Sequence, residues 1–276
     1  MRPTHQKTML LLGVALAVLF AAAAIFTVGA NSNADVPEVV YTGKNTTPAG
    51  EPISGATVSL FSNDKTSSVS VYSKADGTFQ LPPMPSEAYK LRARLMGLHD
   101  EWVDIKPGEP KPVTLSLKKA EGWALQLQRP GHSLMNMLEW ENEADALNFK
   151  MMCAYCHQVG TVGFRSPEEP VDWEVMLTRM DGFQGLYKHT QDGLVDKIYS
   201  TYGREAEAKW PAFVAPPAPK GSDLDAVISE WQLGQENVAM IHDIAVASDG
   251  MIYTVDMTND AISTLDPKTG ERNVYS

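Results

Sequence analysis

The chain has 276 residues, with 34 acidic against 23 basic side chains and a formal net charge of −11. A surface this acidic is repelled by nucleic acid and by anionic lipid, which excludes both as expected partners and leaves a basic redox protein as a fitting one. Two cysteines in the whole chain exclude a four-thiolate zinc centre.

Met1 to Lys7 is short and basic, Met9 to Phe26 is almost wholly apolar, and Thr27-Val28-Gly29-Ala30 supplies small residues for cleavage after Ala30. This order is that of a secretory signal over residues 1–30. The apolar run also has the length of a single membrane anchor, about 17 to 25 residues, so retention stays open. Both readings put the rest of the chain outside the cytoplasm, periplasmic or exported. Cleavage removes two cations and no acid and takes the charge from −11 to −13. The mature chain is too long for one small core, and two or three domains are expected.

Residues 38–119 alternate apolar and polar in short runs separated by turn residues. Val39-Val40-Tyr41-Thr42, Gly55 to Leu60, Ser68 to Tyr72, Phe79 with Leu81, Tyr89 to Leu95 and Val113 to Leu117 read as strands, with a turn at Ala75-Asp76-Gly77-Thr78. The pattern predicts an antiparallel sandwich. Pro52 to Val58, Asp76-Gly77-Thr78-Phe79, Tyr89 and Leu91 together resemble the carboxypeptidase regulatory-like domain. That resemblance implies a small transthyretin-like sandwich serving as a spacer or binding module, without catalysis. His99-Asp100-Glu101 reads as a solvated loop in preference to a metal corner. Asn45-Thr46-Thr47 matches a glycosylation sequon to which no meaning is attached.

After Lys119 the period changes. Residues 120–236 show helical spacing, which predicts a central all-α domain. A helix is expected over Glu141 to Tyr155. Another starts at Pro170, with Trp173, Met176, Leu177 and Met180 on one face, and ends at Asp181-Gly182. A third covers Leu194 to Tyr202 and stops at Gly203. Lys209 to Lys220 is a proline-rich connector. Ser222 opens a last helix with Leu224, Val227, Ile228 and Trp231 on one face.

Both cysteines fall in Cys153-Ala154-Tyr155-Cys156-His157, a C-x-x-C-H run. Thiols three residues apart can each add to one vinyl group of a haem, and the next histidine then falls beneath the iron. Three other readings compete: a zinc site, a dithiol redox pair and two buried thiols. A Cys2His2 zinc site needs a second histidine at finger-like spacing, and none is present. A thioredoxin-like dithiol belongs in a βαβ context, which this segment lacks. The expected cofactor is one covalent haem c per chain, bound by Cys153, Cys156 and His157.

Helices joined by loops, with one haem motif near their start, resemble a class I cytochrome c domain. An electron-transfer haem takes a second axial ligand, often methionine. In cytochromes fused to or encoded beside propeller proteins, a W…RM pattern carries that methionine; Trp173 and Arg179-Met180 match it. The resemblance implies Met180, with Met176 and His189 as competitors. Arg165 and Arg179 are read as surface arginines, with pairing to haem propionates as the alternative.

Residues 237–276 return to strands: Ile241 to Ala247, Met251 to Met257, Ala261 to Leu265 and Arg272 onward. Four strands in about forty residues is the size of one propeller blade. His242 to Val246, Asp249-Gly250, Asp266 and Gly270 resemble a blade of virginiamycin B lyase and NHL-like propellers. A propeller needs about four to eight blades, so further blades or a docking partner are implied. The lyase family's catalytic residues fall in later blades, so no catalytic residue is assigned.

The resulting expectation is a multidomain, exported electron carrier. Two alternatives stay open. One is the haem-bearing part of a propeller enzyme, a dehydrogenase or a streptogramin lyase-like protein. The other is an exported carbohydrate- or cell-wall-binding protein.

Overall fold

A computed structural model describes residues 36–108, 111–154, 158–161, 165, 169–184, 193–234, 239 and 241–276. The signal or anchor segment therefore lies outside the described residues, as do Cys156, His157 and His189. Among the described residues no helix is long and apolar enough to cross a membrane.

Two compact units are present, one spanning Val39–Ile228 and the other including Ser229–Ser276. The first holds a β-sandwich. Its larger sheet contains β3 (Thr57–Ser62), β4 (Ser67–Tyr72), β7 (Tyr89–Arg94) and β8 (Glu101–Ile105) in the order β4-β3-β7-β8, all antiparallel. Its smaller sheet runs β5-β2-β9, from β2 (Thr42–Thr46), β5 (Thr78–Gln80) and β9 (Val113–Ser116). Two-residue strands β1 (Glu38–Val39) and β6 (Met84–Pro85) pair separately.

Strand alternation explains the core. Val58, Leu60, Val69, Val71 and Leu91 point inward from one sheet and meet Phe79 and Leu115 from the other, all buried. The turn at Asp76-Gly77 is set by chemistry. The Asp76 carboxylate accepts from the Thr78 amide (3.0 Å) and hydroxyl (2.6 Å), and the Thr78 hydroxyl is the main cause of its lowered pKa. Gly77 adopts φ +81°, where a Cβ would also meet the Asn45 carbonyl at 2.6 Å.

Two expectations need correcting within the sandwich. It is not wholly antiparallel, because β2 pairs antiparallel with β5 but parallel with β9. The first and last strands of the module lie side by side and run the same way. Such a pairing links residues roughly seventy positions apart, which local alternation cannot reveal. The second correction is β8, a strand that the alternation does not mark: His99 and Asp100 lie in the loop before it, Asp100 pairs with Arg94 (2.5 Å), and Glu101 opens the strand. Among the described residues no group of acidic, histidine and cysteine side chains could hold a metal ion. Asn45 is fully buried, which closes the sequon in the folded state.

The central all-α domain is not seen. The described chain is mostly β, in four sheets, and its helices are few. They are α1 (Gly122–Leu127), α2 (His132–Met135), α3 (Glu143–Cys153), α4 (Pro170–Gln184) and α5 (Leu194–Tyr202), with a 3-10 turn at Arg204–Lys209. The decisive departure is at the end of this stretch. The helix expected from Ser222 is replaced by a 3-10 turn (Gly221–Asp225) and a strand, β10 (Val227–Trp231). Val227 and Ile228 enter that strand beside β4. The face of Leu224, Val227, Ile228 and Trp231 fits a helix by period. However, β-branched Val227 and Ile228 favour extended backbone, and a sheet edge supplies hydrogen bonds that a short helix cannot match.

The second unit holds β11 (Ile241–Val246), β12 (Ile252–Asp256), β13 (Ala261–Leu265) and β14 (Arg272–Tyr275), an antiparallel meander in sequence order. Asp256 closes one turn by accepting from the amides of Thr258 (3.0 Å) and Asn259 (3.3 Å) and from the Asn259 side chain (2.7 Å). Asp266 accepts from the Lys268 amide in the next turn (2.8 Å).

Candidate functional site

The cysteine motif begins where α3 ends. Asn142 caps the start of that helix by accepting from the Asp145 amide (2.9 Å), and Glu143 and Asp145 in the first turn suit the positive helix end. Eleven residues later the helix delivers Cys153 as its last residue. Cys153 is half-buried against an aromatic-rich core of Leu134, Leu138, Phe149, Val159, Trp173 and Tyr202 with neighbours from α5. Trp140 packs on Phe149 with ring centroids 5.0 Å apart, and Lys197 lies 4.8 Å over the Trp140 ring.

Two hydrogen bonds fix this core. The Tyr202 hydroxyl donates to the Leu134 carbonyl (3.0 Å), and the Trp210 ring N–H donates to the Thr201 carbonyl (2.8 Å). Burial pushes the Cys153 thiol up to about 11. In the folded chain the thiol is therefore neutral and unreactive near neutral pH. Two pKa units at about pH 8 mean about a hundredfold less thiolate than an ordinary cysteine carries. In a Cys156→Ser chain made without haem-attachment machinery, iodoacetamide should modify Cys153 about a hundred times more slowly when folded than in urea. Equal rates would put the thiol at the surface.

The methionines separate by environment. Met176 and Leu177 on α4 pack against the core that holds Cys153, as does Met137. Met180, one turn beyond Met176, is half-exposed and is not among the described side chains packed on that core. Trp173, read as a haem neighbour or packing residue, is fully buried in the same core. Of the sequence-predicted site residues, the described structure places Cys153 against the core and Met180 half-buried on α4.

Arg165 is a correction. Read as a solvated arginine, it is 1% exposed. Its guanidinium donates to the carbonyls of Gln126 (2.5 Å) and Arg129 (2.8 Å) and lies 5.8 Å from the Trp210 ring centre. Burial, and then the nearby Arg129, lower its pKa. It adds side-chain donors to carbonyls at and just past the end of α1, a backbone need that no side-chain spacing advertises. Arg179 is exposed. Trp140, Tyr202 and Trp210 also form the site, although the sequence marks them only by aromatic content on either side of the cysteine motif.

Comparison with known proteins bears on the sandwich. Residues 42–118 match the model of the carboxypeptidase regulatory-like domain. No curated protein matches. Among solved structures, the Bacillus anthracis TIE protein is 17% identical over 30% of this chain and 17% of its own, with a TM-score of 0.25. GBS52, a minor pilin of Streptococcus agalactiae, is 12% identical over 32% of this chain and 47% of its own, with a TM-score of 0.27. The chain thus spans less than half of either structure. Residues 42–118 of this chain form a carboxypeptidase regulatory-like domain.

Proposed function

We propose that the chain is an exported electron carrier in which Cys153 and Cys156 would hold one haem c covalently and His157 would ligate its iron. The observation that carries this reading is the single C-x-x-C-H run beginning on the last residue of α3, where Cys153 already packs into an aromatic core. The donor set fits the group, since the motif offers two thiols and an imidazole and methionine thioethers lie on or near the same core. When bound, haem supplies an iron that cycles between two oxidation states.

The chain's own residues do the rest. Phe149, Trp173 and Tyr202 keep water from the core side of Cys153. The capped helix α3 fixes where the motif begins. Met180 is the proposed second ligand on the W…RM resemblance, and Met176 is the competing donor because it packs on the Cys153 core. A methionine ligand raises the potential. Met180→Leu should therefore lower it, and Met176→Leu should not; the reverse result would exchange their roles.

Four antiparallel strands with apolar side chains exposed on both faces support a blade-like reading of β11–β14. Ile244 and Val246 lie on one face, Val255 and Ile262 on the other. Such a sheet is suited to neighbours on both sides.

Expression with a cytochrome c maturation system should give a protein whose intact mass exceeds the polypeptide by one haem and whose reduced-minus-oxidised spectrum has haem bands. Cys153→Ala with Cys156→Ala should abolish both. Bare polypeptide mass with two free thiols in the unaltered chain would end the proposal.

A further inference from the structure

The outer face of the larger sheet carries a feature the electron-carrier reading does not use. Strand alternation turns Leu60 and Leu91 to the core and Phe61, Arg92 and Trp102 outward from β3, β7 and β8. Trp102 is 44% exposed on β8, at one end of the sheet. The Phe61 and Trp102 ring centroids are 5.5 Å apart. The Arg92 guanidinium carbon lies 4.9 Å from the Phe61 centroid and 5.3 Å from that of Trp102. Lys65 adds a second cation, with Nζ 5.8 Å from the Trp102 centroid.

Lys65 is placed by its turn. Asp64 accepts from the Ser62 hydroxyl (2.6 Å), the Thr66 amide (3.0 Å) and the Thr66 hydroxyl (2.9 Å). This network holds Lys65 at φ +58°, a conformation a lysine adopts only under constraint. Two acids lie beside it, Asp64 in the turn and Asp104 paired with Lys90 at 2.9 Å, against the three cations Lys65, Lys90 and Arg92. The two rings are inclined at 34°, and the platform is preorganised and cationic on a chain that is strongly acidic as a whole.

We propose that this face binds a polysaccharide bearing carboxylate groups. A pyranose ring presents weakly positive C–H hydrogens that suit the negative face of the exposed indole. A ring carboxylate would then meet Arg92 and Lys65, whose donors suit an anionic oxygen. The exposed apolar area is small and laced with charge, unlike the wide apolar core of a protein–protein interface.

The test is affinity electrophoresis of the full chain through gels containing polygalacturonate. Non-specific attraction has the wrong sign here, because the chain and the polymer are both anionic. The expected result is retardation by polygalacturonate and not by neutral dextran. Trp102→Ala should weaken it at least tenfold and Lys65→Glu severalfold. Lys65 is exposed and outside the core, so K65E stays a valid test even if W102A folds poorly. Absence of retardation, equal retardation by dextran, unchanged binding in both variants, or full displacement by oligothymidylate would each overturn the proposal. Haem loading does not enter this readout, so its outcome is independent of the electron-carrier reading.

Discussion

A Gly43→Ala chain should fail to accumulate as a folded protein, or should melt far below the unaltered chain. Gly43 lies on β2 between its partners Phe79 and Val113. A Cβ there would stand 2.1 Å from the Val113 carbonyl oxygen and 2.5 and 2.7 Å from two Phe79 ring atoms. The first neighbour is backbone in a parallel ladder and cannot swing away. The second is a core ring that is 3% exposed. Overpacking a core costs about 1–3 kcal/mol and more where backbone must move. Domains hold only about 5–15 kcal/mol in total. Gly50→Ala is the control: Gly50 has φ +85° but nothing within 4 Å of an added Cβ. It should cost only about 1 kcal/mol. Urea midpoints for the two variants measure the difference. Equal midpoints would mean that β2, β5 and β9 are not packed as described.

That close approach shows what the sequence does and does not make legible. Period-two alternation marks the sandwich strands, because each strand buries one face, and the family match over 42–118 covers the same residues. It cannot reveal the parallel pairing of β2 with β9, which joins chain ends through backbone groups common to every residue. Nor can it find β8, because Trp102 and Asp104 face solvent and leave a weak alternation. Past Lys119 the period of 3.6 locates α4 and α5 but misleads over 222–233. There Val227 and Ile228 take sheet geometry instead of helical geometry. The candidate site is legible through its two cysteines alone. Its aromatic surroundings come from α3, α4, α5 and Trp210, and such long-range packing leaves no periodic trace.

Trp173→Ala should destabilise the segment around the cysteine motif by about 3–5 kcal/mol, the cost of emptying a filled aromatic site. Trp173 is 0% exposed at the centre of the core shared by Leu134, Phe149, Ile198 and Tyr202. No smaller neighbour can collapse into the space, because Tyr202 is tethered to the Leu134 carbonyl and Trp210 to Thr201. The change has a second readout that general unfolding would not mimic at low denaturant. Cys153 packs on the same core, and its raised pKa comes from burial. In Cys156→Ser chains made without haem-attachment machinery, opening the core admits water, lets the thiol fall back toward its ordinary value and speeds its alkylation severalfold or more. Amides of β3 and β7 should keep their hydrogen-exchange protection, since their core residues Leu60 and Leu91 lie in the sandwich. Trp173→Phe keeps most of the ring volume and should give a smaller loss with Cys153 still protected. Alkylation of Cys153 that is equally slow in the alanine and unaltered chains would show that Trp173 does not shield the start of the motif.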